Sequence, residues 1–227
     1  MSLSENIYKI LIQGGSWKAI LMGLWVTIQI SALALLLGTA LGALLCLLRT
    51  RKNPLVRGAA SVYIAVLRGT PVLMLLLLLY YGVLARTGLQ PVTVAVITFA
   101  LNVSAHVAEL LRSALEAADR GQAEAARTLG FSAWDTFRLI TLPQMLRIAK
   151  GVYQSTVVNL IQWTSVVGYV TITDLTRVIN NTASRTMQPM LTISIGMLIY
   201  LGLSYLIFSI FALSDWLSAK RRGVEGR

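Results

Sequence analysis

The chain has 227 residues, 56% of them hydrophobic and 13% charged, and a formal net charge of +11. A mean hydropathy of +0.70 excludes an ordinary soluble domain and points to a polytopic membrane protein. The excess of 20 Lys and Arg over 9 Asp and Glu lies between apolar blocks, as membrane topology requires, and does not form a nucleic-acid-binding domain.

From the N-terminus, Glu5 and Lys9 precede a mixed stretch without the basic, apolar and small-residue pattern of a cleaved signal, so the first span is expected to stay as an anchor. A helix crossing the hydrocarbon needs about 20 mostly apolar residues, because its backbone groups must be satisfied within the segment. Five blocks meet this need: Ile20 to Leu48, Ala59 to Val83, Pro91 to Leu111, Ile148 to Thr171 and Pro189 to Leu213. The predicted fold class is an all-α integral membrane protein with about five transmembrane helices, organised as a single domain over 1–227. Cys46, inside the first block, is the single cysteine, so an internal disulfide is excluded.

Basic residues orient the bundle. Arg49, Arg51, Lys52 and Arg57 separate the first two blocks. Arg120, Arg127, Arg138, Arg147 and Lys150 separate the third and fourth, and Lys220, Arg221, Arg222 and Arg227 form the tail. The other side carries fewer: Lys9, Lys18, Arg86, Arg177 and Arg185. The N-terminus is therefore predicted outside and the C-terminus in the cytoplasm.

Within the blocks, Gly38 and Gly42 form a small-xxx-small spacing suited to close helix approach, either inside the chain or at a subunit interface. Arg68 precedes Gly69, Thr70 and Pro71, where the helix is loosened. It could attract a substrate carboxylate or pin the helix to a neighbour. Asn102 and His106 share one face of the third block, with no metal-ligand spacing around them. Glu109 and Arg112, three apart, form a possible local ion pair or line a path or gate.

The connection at 120–147 is too long for a simple link and should have structure of its own. Gln122 to Leu129 is rich in helix formers, and Gly130 follows as a terminator. Ser132 can cap a second short helix with Asp135 in its first turn. Ile140, Thr141, Leu142 and Pro143 read as an elbow into the fourth block. Leu129, Phe131, Trp134 and Phe137 offer apolar anchors, either to another protein or to the membrane face.

Glu124, Ala125 and Ala126, three residues, Gly130, nine residues, Ile140, one residue, then Leu142 and Pro143 resemble in full the EAA loop of ATP-binding-cassette importer permeases. Arg68-Gly69-Thr70-Pro71 running to Tyr80-Tyr81-Gly82 is similar to the polar amino-acid branch of that superfamily, as is Ala108-Glu109 with Arg112 running to Arg120-Gly121-Gln122. That branch comprises the histidine, glutamate, glutamine, arginine and opine permeases. The resemblance implies a type I importer permease in a bacterial inner membrane. It assigns coupling to the ATPase to Glu124, Ala125, Ala126 and Gly130, and the elbow to Leu142 and Pro143.

It also implies a dimer of ATPase subunits, a second permease chain, identical or related, and a periplasmic or extracellular substrate-binding protein. That binding protein would meet the external loops near Arg86 and from Asp174 to Arg185. The candidate substrate path or gate comprises Arg68, Asn102, Glu109, Arg112, Gln162, Trp163 and Thr164. The resemblance implies, as is usual in the family, a lysine and then an acidic or polar residue where Gln162 and Trp163 stand. Either the charged pair is lost with substrate contact, or the cavity is reshaped. The phosphate-binding pattern G-x-x-x-x-G-K-[ST] does not occur, so ATP and its Mg belong to the partner ATPase, and this chain is expected to carry no cofactor, metal or enzymatic activity.

Overall fold

The computed structural model describes residues 3–13 and 15–221, and no strand occurs among them. Arg222 and Arg227 of the basic tail lie outside the described residues. Helix α1, Leu3–Tyr8, continues through a π-helical turn to Gln13. Helix α2, Ser16–Arg49, has 34 residues and so extends about 50 Å, more than the roughly 30 Å of a hydrocarbon core.

Helix α3, Pro54–Gly69, starts as its sequence dictates: Pro54 sits in the first turn, and the Asn53 side chain accepts from the Leu55 N–H at 2.9 Å. It stops at Pro71, which drives Thr70 into extended backbone at φ −101°, ψ 130°. The chain bends by 107° into α4, Val72–Leu77, which continues as a π-helical turn to Val83. The block read as one span from Ala59 to Val83 is thus a broken one.

Helix α5, Pro91–Glu116, is followed by the short α6, Arg120–Thr128, and α7, Ala133–Thr136. A π-helical turn, Phe137–Thr141, leads into α8, Leu142–Trp163, and a 3-10 turn, Thr164–Val170, completes the fourth block. Helices α9, Leu175–Thr186, and α10, Pro189–Arg221, end the described chain. By length and hydropathy α2, α5 and α10 can cross a membrane, and the bent pair makes a fourth candidate. Helix α8 is less apolar because Gln144, Arg147, Lys150, Gln154, Asn159 and Gln162 interrupt it.

The chain forms two compact units. In the first, residues 1–32, 77–95 and 157–227, Ile20, Leu175, Val178 and Ile179 make a buried cluster, with Tyr200 and Ile199 against it. Gly23 lets α2 approach the Asp174 carbonyl, and Thr27 Oγ1 accepts from the Leu175 N–H at 3.3 Å. Asp174, fully buried, caps α9 by accepting from the N–H groups of Thr176 and Arg177. Burial pushes its carboxyl above the usual carboxylate range, against the pull of those two amides. The stretch expected as an external loop from Asp174 to Arg185 is therefore mostly a helix with one buried face.

In the second unit, residues 33–76 and 96–156, α2 packs on α5 through its glycines. A Cβ on Gly38 would lie 2.7 Å from Val103 and 2.9 Å from the Ala100 carbonyl, and one on Gly42 would lie 2.7 Å from Val107 and 2.8 Å from the Ser104 carbonyl. The small-xxx-small pair is an internal packing seam.

Candidate functional site

The segment from Asp119 to Pro143 is assembled by local chemistry. Asp119 caps α6 by accepting from the Gly121 N–H at 2.8 Å. Its own N–H donates to Gln144 Oε1 at 3.0 Å, and Gln144 Nε2 donates to Gln122 at 2.8 Å, so one glutamine of α8 staples the start of α6. At the other end, the Phe131 N–H donates to the Ala126 carbonyl and the Gly130 N–H to the Arg127 carbonyl, both at 3.1 Å. This is a Schellman closure, and it needs the φ of +90° that Gly130 adopts. Ser132 then caps α7, accepting from the Asp135 N–H at 3.1 Å while its hydroxyl donates to the Asp135 carboxylate.

Ala126 is buried under this turn, whereas Glu124, Ala125 and Gly130 are exposed. Leu129, Phe131 and Trp134 are exposed as well, and the Trp134 and Phe137 rings lie 6.0 Å apart. A capped helix-turn-helix thus presents large apolar side chains left uncovered by the described residues.

The expected elbow lies within a continuous helical run. Residues 137–163 are helical throughout, and Leu142 has helical φ −61°, ψ −45°. The hydrogen-bond register slips to the wider π pattern just before Pro143, which lacks an N–H, so the proline is absorbed without a break.

Of the path candidates, three meet. The Glu109 carboxylate sits among three guanidiniums: Oε2 accepts from Arg49 and lies 3.7 Å from Arg68, while Oε1 accepts from Arg112 at 2.7 and 3.1 Å. Arg112 also bonds Glu116. Three arginines face two carboxylates, leaving one positive charge in excess. Arg49, missing from the predicted set, is 60 residues from Glu109 in sequence, and its only sequence signal is its place at the end of an apolar block.

Asn102 has a backbone role. Pro71 cannot donate to the Leu67 carbonyl, and Asn102 Nδ2 donates to it instead at 3.1 Å. The Asn102 Oδ1 is buried without a hydrogen-bond partner.

In the other unit, Gln162 is exposed on a cavity of about 370 Å³ lined also by Ser165, Met197, Tyr200, Leu201 and Ser204. Trp163 is half-buried. Thr164 is fully buried; its hydroxyl donates to the Ile161 carbonyl at 2.6 Å and its side chain also meets the hydroxyl of Tyr200, which lines that cavity.

A family model, binding-protein-dependent transport system inner membrane component, matches residues 34–223. The chain belongs to this family. The permease is 36% identical over 173 residues to a probable amino-acid ABC transporter permease protein of Bacillus subtilis, covering 75% of this chain and 76% of the relative. It is 30% identical over 212 residues to a nopaline transport system permease protein of Agrobacterium fabrum, with 88% of each covered. A crystal structure of an amino acid ABC transporter with histidines superposes with a TM-score of 0.82 at 28% identity, over 91% of this chain and 97% of that one. The permease is thus a multi-pass inner-membrane component of an ABC importer, a class in which a separate subunit hydrolyses ATP and a binding protein supplies the substrate.

Proposed function

We propose that this permease, paired with a second permease chain, identical or related, forms the path for an amino acid or related compound, polar or charged. A binding protein outside the membrane delivers the substrate, and a dimer of ATPase subunits, holding ATP and Mg, docks on the segment from Glu124 to Pro143. The N-terminus lies outside and the C-terminus in the cytoplasm, which puts Arg49 to Arg57 and the 120–147 segment on the ATPase side.

The observation that carries the docking role is the closed helix-turn-helix with Leu129, Phe131 and Trp134 exposed on it. Glu124, Ala125, Ala126 and Gly130 lie on or beside its first helix, and Leu142 and Pro143 transmit displacement into α8 through an unbroken helical path. The amino-acid class is supported by the names of the relatives above.

Gln162, beside Ser165 and Tyr200, is the group best placed to meet a passing substrate, whereas Asn102 serves the backbone and Thr164 supports Tyr200 from the buried side. Glu109, Arg112 and Arg68 form a charged lock between helices of one unit, suited to a gate. Purification of the tagged permease from its native membrane tests the assignment. Co-purification of a stoichiometric ATPase supports it. A chain that carries substrate across vesicles without any ATPase contradicts it. A panel of amino acids titrated onto the partner binding protein identifies the cargo.

A further inference from the structure

At the end of α2, five of the second unit's charged residues line a cavity of about 600 Å³: Arg49, Arg51, Arg57, Arg112 and Glu116, with Ser61 also in its lining. Arg49 and Arg112 are held by Glu109 and Glu116. Arg51 and Arg57 form no ion pair among the described residues and are exposed. With Arg49 and Arg112 matched by Glu109 and Glu116, the unpaired Arg51 and Arg57 leave the cavity cationic.

Its position is informative too. Arg49 is the last residue of a long apolar helix, so the cavity lies where hydrocarbon gives way to headgroups. Along α3, Arg57 and Ser61 line the cavity, while Leu55, Val62 and Val66 are exposed on a neighbouring stripe at spacings of seven and four. A cationic cup beside an exposed apolar stripe matches a molecule with a phosphate head and an acyl tail. The amides at the start of α3 are already occupied by Asn53, so recognition falls to the guanidiniums, whose planar forks suit phosphate oxygens.

We propose that this cavity is a binding site for a phosphate-bearing anion, held chiefly by Arg51 and Arg57. The shared chemistry is the phosphate oxyanion, supplied either by an anionic phospholipid headgroup or by soluble phosphate.

The test uses the purified transporter with whatever subunits accompany it, in neutral phosphatidylcholine nanodiscs. Phosphatidylglycerol is titrated in and its retention read by native mass spectrometry. Radiolabelled inorganic phosphate is measured in parallel by equilibrium binding. Arg51→Gln with Arg57→Gln is compared with Lys18→Gln with Arg86→Gln, which removes the same charge elsewhere. The first pair should weaken anion binding roughly 30-fold, at about a kilocalorie per arginine, and the second should leave it unchanged.

A lipid source is shown if phosphatidylglycerol is retained and phosphate does not displace it. A soluble source is shown if phosphate binds alone and displaces the lipid, with the same dependence on Arg51 and Arg57. Equal binding by the Arg51/Arg57 variant and the wild type overturns the proposal, as does equal loss in both variants. Loss of a co-purifying ATPase with unchanged anion binding also overturns it, because the arginines would then serve a protein contact.

Discussion

The seam between α2 and α5 makes a quantitative prediction at Gly38 and Gly42. An added Cβ at Gly38 falls 2.7 Å from Val103 Cβ, roughly an ångström inside the usual 3.5–4.0 Å carbon contact, and 2.9 Å from a carbonyl that cannot rotate away. The two helices must therefore separate, at an overpacking cost of about 1–3 kcal/mol per site. A helical Gly→Ala change also gains about 1 kcal/mol of propensity. Gly151, inside α8 of the same unit, supplies the control, because nothing lies within 4 Å of its Cβ position. Subtracting Gly151→Ala from Gly38→Ala cancels the propensity gain and isolates the contact.

With about 2 kcal/mol for the contact, Gly38→Ala should unfold about 4–8 °C below Gly151→Ala. Fluorescence-detected gel filtration of detergent extracts after stepwise heating, at one fixed heating time, reads that gap. The double change at Gly38 and Gly42 should widen it. Equal melting of Gly38→Ala and Gly151→Ala would refute the packing account of this seam.

The cluster at Glu109 and the bend at Pro71 give two further expectations. Glu109→Gln leaves three guanidiniums around a neutral amide and should cost about 2–3 kcal/mol by the same thermal assay, less than for a fully buried pair because the site is partly exposed, whereas Arg68→Gln, at 3.7 Å and more exposed, should cost under about 1 kcal/mol. Asn102→Leu strands the Leu67 carbonyl and should destabilise by about 1–3 kcal/mol, while substrate binding to the partner binding protein stays unchanged.

Much of the capped segment was legible because its determinants are local: Gly130 closes a helix and Ser132 opens the next within three residues. The Glu109–Arg112 pair was legible for the same reason. Arg49 and Arg68 were not, since their approach to Glu109 depends on helices distant in sequence. Pro71 signalled a loosened helix, yet nothing local named Asn102 as the donor to the Leu67 carbonyl. Pro143 pointed to an elbow, and nothing local showed that a π-helical turn would precede it and accommodate its missing N–H. Asp174 looked like loop polarity. It is a buried cap, because α2 presents Gly23 and leaves room for the chain there.

The central claim is that the capped segment receives the stroke of a separate ATPase, and Gly130 tests it most directly. A Gly130→Leu side chain at φ +90° costs about 1–2 kcal/mol locally and distorts the turn without touching a membrane span. Reconstituted with its ATPase and binding protein, the Gly130→Leu permease should insert normally, yet lose uptake and substrate-stimulated ATP hydrolysis together. Uptake at the wild-type rate by that inserted variant would contradict the account.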